Sequence, residues 1–194
     1  MRAMLGFVIA AMLLAGCEER HLRGVVGVPG GNGAATVRVL VEDDPAGAEP
    51  VLTSGARPTV SIRFSVALFR SGASASVPDT GSLFAQVAMG STDGDLVATT
   101  DTVPAGSYVS ARLTLIEATL AMSGAAPIDL LSGSAAPSIT RNVPRAVVDG
   151  ELLTIRLDLN SDEWLVPNPS AGSGPEFLFT GTSDFLTALA ITLP

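Results

Sequence analysis

A chain of 194 residues, 47% hydrophobic and 15% charged, is long enough for one domain with its own core and too apolar for a disordered acidic tail. Its formal charge is −8, all 11 basic residues are Arg, and they form no basic block, a pattern that disfavours nucleic acid as a partner. A single Cys and a single His exclude an internal disulfide, a Cys-based zinc site and a CxxC redox centre.

The chain opens on Met1-Arg2 and then runs without charge from Ala3 to Ala15. That is the length of a secretory h-region and short of the about 20 apolar residues that a membrane span needs. The run closes on Leu14-Ala15-Gly16-Cys17. This tetrad resembles the lipobox of bacterial lipoproteins: a branched apolar residue, two small residues that fit the signal peptidase, then the Cys that is acylated. The resemblance implies a signal peptide over residues 1–16, cleavage before Cys17, and attachment to a membrane through acyl chains on Cys17. Several chains hold where a single one would not. Glu18 follows the Cys, where Asp is the inner-membrane retention signal in the enterobacterial sorting rule, so the expected location is the outer membrane, facing the periplasm or the exterior.

Residues 17–34 carry the acylated Cys and then five Gly and one Pro with no sustained period, which reads as a flexible tether. Gly-rich coil of this length has an r.m.s. span of roughly 20–25 Å. From residue 35 to 194 period-two alternation dominates and predicts one β domain. Val37, Val39 and Val41 share a face, and Glu42-Asp43-Asp44-Pro45 then reads as a charged, solvated turn. The clearest amphipathic strand is Thr59–Arg70, with Val60, Ile62, Phe64, Val66 and Leu68 on one side. Strands at 83–89 and 95–100 follow. In Ser107–Met122 the apolar parity slips by one residue, from Leu113 and Leu115 to Ala118 and Leu120, which predicts a β-bulge near Leu115–Glu117. Further strands are predicted at 128–131, 138–142, 146–148, 152–159, 176–180 and 185–193, separated by Gly, Pro, Asn or Asp turns. No mature segment shows a capped period of 3.6, so the expected class is an all-β, antiparallel β-sandwich with little helix.

Val103-Pro104-Ala105-Gly106-Ser107-Tyr108, with Arg112-Leu113 after it and Ile155-Arg156-Leu157-Asp158-Leu159 later, resembles a domain of unknown function in secreted bacterial lipoproteins with a prealbumin-like, or transthyretin-like, β-sandwich. The order matches over roughly residues 34–193, although the aromatic usual in the late acidic strand is replaced by Leu or Asn. The resemblance implies a fold type and no activity.

Chemistry-bearing candidates are few. His21, the one imidazole, falls in the tether, so a Ser-His-Asp arrangement has no positioned base and no enzymatic activity is expected. No GxSxG, HExxH or GxxxxGK[ST] pattern occurs. Asp93, Asp95 and Asp101, and separately Glu42-Asp43-Asp44, offer oxygen ligands for Ca²⁺, with solvated turns as the alternative. Trp164 is either a platform for an envelope protein or glycan or a residue capping the core. Tyr108 is expected to pack at a sheet edge with its hydroxyl bonded to a loop, as corner tyrosines do, and Arg112 and Arg156 to pair with Glu117 or Asp158 across strands. The expectation is a lipid-anchored binding, adhesion or scaffolding module. The alternatives are a small carboxylate-dependent accessory hydrolase and a structural subunit of an envelope complex that adds a strand to an exposed sheet edge.

Overall fold

A computed structural model of the chain describes residues 33–43, 57–71, 80–90, 95–133, 135–170 and 175–194. The expected signal peptide, Cys17 and the expected tether up to residue 32 lie outside the described residues.

Alternation becomes burial along the first strands. In β1 (Ala34–Glu42) Ala35, Val37, Val39 and Val41 are buried, and in β2 (Thr59–Arg70) Val60, Ile62, Phe64, Val66 and Leu68 are. β3 (Leu83–Ala88), β4 (Asp95–Pro104), β5 (Gly106–Ala121), β6 (Ile128–Asp129), β7 (Ser138–Val147) and β8 (Leu152–Asp158) follow. A 3-10 turn, Ser161–Glu163, then leads to β9 (Leu165–Pro167), β10 (Phe177–Phe179), α1 (Thr182–Ala188) and β11 (Ala190–Thr192). One sheet has the order β11-β8-β1-β4; the other runs β3-β2-β5, with β7 and β6 both pairing the far edge of β5; β9 and β10 form a separate ribbon. Inward side chains of both large sheets, among them Val39, Phe64, Leu113 and Ile155, belong to one core. Each such side chain contributes roughly 1.5–3 kcal/mol by leaving water. The chain is thus all-β with one short helix.

Four expectations need correction. The sheets are not purely antiparallel: β1 pairs β8 in parallel, Thr36 facing Leu152 through Glu42 facing Asp158. Period-two patterning orients side chains and is silent on the direction of a neighbour. Residues 185–193 are not one strand, because Thr182–Ala188 is helical and only Ala190–Thr192 joins β8. Residues 138–142 and 146–148 belong to one strand, β7, which passes through Pro144. Pro144 falls where the register of β7 on β5 shifts, between Asn142 facing Ser110 and Arg145 facing Tyr108. A missing N–H costs no regular ladder bond there. Residues 95–100 extend to Pro104, past an irregularity in which residues 99–101 stand against the single Val37.

The bulge in β5 is where the parity slip puts it. Arg63 faces Glu117 and Phe64 faces Leu115, so Ile116 is the extra residue and its side chain is exposed. A second register shift leaves out Val109, which turns its side chain outward and lets Tyr108 point into the core.

The sandwich has two distinct ends. At one, β1, β5 and β8 begin; at the other they finish. β4 crosses to β5 at the first end through the single residue Ala105, helped by Gly106 at φ 151°. A side chain at Gly106 would meet the Arg70 guanidinium at 3.2 Å.

Candidate functional site

The far end of the sandwich is closed by a buried carboxylate that the sequence presents as part of a solvated turn. Glu42 and Asp43 are both buried. Asp43 Oδ2 accepts from Gly90 N at 2.5 Å and from the Ser161 hydroxyl at 2.6 Å, and Oδ1 accepts from Ser161 N at 2.8 Å. One side chain thereby ties the end of β1 to the turn after β3 and to the start of the 3-10 turn. Asn160, in the left-handed region at φ 44°, sets that turn and donates its amide to Ala188 O at 2.6 Å. Arg156 pairs with Glu42 and Glu117 pairs with Arg63 at 3.2 Å, both across neighbouring strands, while Arg112 lies 5.0 Å from the Phe69 ring centroid.

Trp164 is part of the same closure and adds nothing to a surface. It is fully buried, its indole N–H donates to Leu159 O at 2.8 Å, and Phe185 and Phe179 meet it edge-on at 5.1 and 6.0 Å. The platform reading of Trp164 is therefore corrected: the ring is the centre of an aromatic cluster beneath α1.

Of the candidate calcium ligands, Asp93 lies outside the described residues; Asp95 accepts from Gln86 N at 2.9 Å; Asp101 stands six residues further along the same strand. Among the described residues no group of three or more His, Cys, Asp or Glu side chains is placed to hold a metal.

The Ile116 bulge has an open side. β7 leaves the edge of β5 with Leu115 N donating to Pro137 O, and β6 takes it up with Leu130 N donating to Ala118 O. Between them lies a depression of about 280 Å³ lined by Ile116, Glu117, Thr119, Asp129, Leu131 and Gly133, among others. Its two carboxylates are already committed. Glu117 faces Arg63, and Asp129 turns the chain by accepting from Leu131 N at 2.9 Å and Gly133 N at 3.0 Å. The Glu117 side chain stays 68% exposed in its ion pair, so the depression offers shape, hydrogen bonding and one accessible carboxylate.

The near end, where the chain comes in at Gly33, is built around the 148–151 turn. Ala34 N donates to Asp149 Oδ1 at 3.0 Å, Gly150 N to Ala34 O at 3.0 Å, and Thr36 N to Glu151 O at 2.9 Å. Glu151 also accepts from Arg145 at 2.7 Å and from Val148 N at 2.9 Å. Beside it the Tyr108 hydroxyl donates to Pro104 O at 2.7 Å, and Arg70 donates to Ala105 O at 2.6 Å with its guanidinium 5.5 Å from the Tyr108 ring. The expected bond of Tyr108 is present, although Tyr108 sits on a central strand and not at a sheet edge. Val148 and Leu152, which flank the turn, are 62% and 52% exposed. The sequence carries a signal for this pair, Val-Val-Asp-Gly-Glu-Leu-Leu, in which apolar residues bracket an Asp-Gly turn, though period-two patterning alone makes of it only two strand ends.

Among the described residues no helix is long and apolar enough to cross a membrane. Comparison with protein-family models, with curated proteins and with solved structures finds no match in any of the three.

Proposed function

We propose that this chain is a bacterial envelope lipoprotein, acylated on Cys17, whose β domain is a non-enzymatic binding, adhesion or scaffolding module at the outer membrane. The observation that carries the reading is the order of the first seventeen residues: a basic start, an uncharged run, two small residues and the one Cys of the chain. A sole Cys used for lipid also suits an oxidising compartment. The two-sheet domain, with its Pro-Ala-Gly-Ser-Tyr crossing and corner-type Tyr108, is read as prealbumin-like.

The non-enzymatic part is supported by how the carboxylates near the depression and the far end are used. Asp43, Asp129, Glu117 and Glu42 each hold backbone or Arg partners. Growth of the producing cell with a radioactive fatty acid tests the anchor. The intact protein is expected to take up label and the Cys17→Ser variant to lose it and remain a precursor; equal labelling of both would end the reading.

A further inference from the structure

The position of the anchor and the shape of the near end bear on each other. The chain reaches the domain at Gly33, and Ala34 is bonded on both its N–H and its carbonyl to the 148–151 turn. Any membrane attachment through Cys17 therefore pulls on the sandwich beside that turn. Val148 is the most exposed large apolar side chain of the described residues, at 62%. Leu152 and Phe84 follow at 52%, and Phe84, on β3, lies 5.8 Å from the Arg63 guanidinium and away from the turn at which the chain enters. The turn is held by Glu151, through Arg145 and Val148 N, so Val148 and Leu152 flank a braced turn.

We propose that this end of the domain rests on the lipid surface to which Cys17 is anchored, with Val148 and Leu152 dipping into the boundary between headgroups and acyl chains. The inference rests on the acylation of Cys17 and goes beyond it by orienting the domain. Read from the sequence as Gly-rich coil, residues 17–32 would have an r.m.s. span of roughly 20–25 Å, whereas the sixteen residues of β5 run on the order of 50 Å from this end to the other. The tether thus holds the near end at high effective concentration over the bilayer and the far end at low. Charge permits the approach despite the −8 of the chain. The ionised side chains that build this end, Arg70, Arg145, Asp149 and Glu151, are two of each sign. Contact through them is neutral on balance, so apolar burial carries it and anionic lipid is not required. The orientation leaves the depression at Ile116 and the β9–β10 ribbon facing away from the membrane, available to a partner.

The test uses the full chain, acylated in its own envelope. Val148→Cys and Leu178→Cys variants each offer one thiol for an environment-sensitive fluorophore, since Cys17 carries lipid. Leu178 is an exposed apolar residue on the β9–β10 ribbon, at the other end. In phosphatidylcholine vesicles containing spin-labelled lipid, the probe at 148 is expected to shift to shorter wavelength and be quenched. The probe at 178 stays as in water, and both results persist in high salt. An unquenched probe at 148, or quenching at 178 equal to that at 148, overturns the orientation when mass spectrometry of the same sample shows Cys17 acylated. An unacylated Cys17 overturns the lipoprotein reading and this inference with it.

Discussion

Asp43 gives the most demanding test of how the far end is held. Replacing it with Ala leaves three donors, the N–H groups of Gly90 and Ser161 and the Ser161 hydroxyl, without their acceptor in a site where Asp43 has no solvent exposure. A hydrogen bond to a charged group is worth about 1.5–3 kcal/mol, and the hydroxyl can turn to another partner. The two stranded amides alone then set a loss of about 3–6 kcal/mol, a large part of the roughly 5–15 kcal/mol that holds a domain together. Asp43→Asn keeps one acceptor oxygen and should lose about half as much, while Ser161→Ala, which deletes only the hydroxyl, should cost about 1 kcal/mol. Urea titration followed by the emission of Trp164, the single and fully buried Trp, measures the series, with the slope unchanged between variants. If Asp43→Ala falls within about 0.5 kcal/mol of the parent protein, the carboxylate behaves as a solvated turn residue and the reasoning fails.

Tyr108→Phe keeps the ring in the core and removes only the bond to Pro104 O, so urea unfolding should show a loss of about 1 kcal/mol, and a neutral result would deny the hydroxyl a role. Leu113→Ala and Ile155→Ala, from the facing sheets, should each destabilise by roughly 2–5 kcal/mol. Ile116→Thr, on the exposed bulge, should stay within about 0.5 kcal/mol in the same assay. Because the Asp95 carboxylate is bonded to Gln86 N, millimolar Ca²⁺ should leave the melting temperature unchanged; a rise that Asp95→Ala abolishes would show a calcium site there.

Much of the fold can be read from the period of two, and its failures have local causes. Val37, Ile62 and Ile155 alternate with polar neighbours and are buried as the pattern requires. The Ile116 bulge is readable because an apolar residue follows an apolar residue and the parity then stays reversed. The bulge at Val109 is not, since a Val facing solvent continues the apparent alternation of Ala111 and Leu113. α1 is seven residues long and lies beside Leu189 and Ile191, whose alternation extends the strand pattern backward over it. The burial of Asp43 is invisible to any local rule because its partners stand 47 and 118 residues away. The same holds for the near end. Val148 and Leu152 gain meaning only from the bonds that place Ala34, and so the side from which the chain enters, beside them.

The central claim is that the chain is held to the membrane through Cys17. Its most direct test is mass spectrometry of the N-terminal peptide of the protein isolated from the envelope of the cell that makes it. The account predicts a chain that begins at Cys17 and carries the mass of a diacylglyceryl group, with or without a further acyl chain on the amine. A peptide that begins at Met1, or at any residue after Cys17, or that begins at Cys17 with a free thiol, would contradict it.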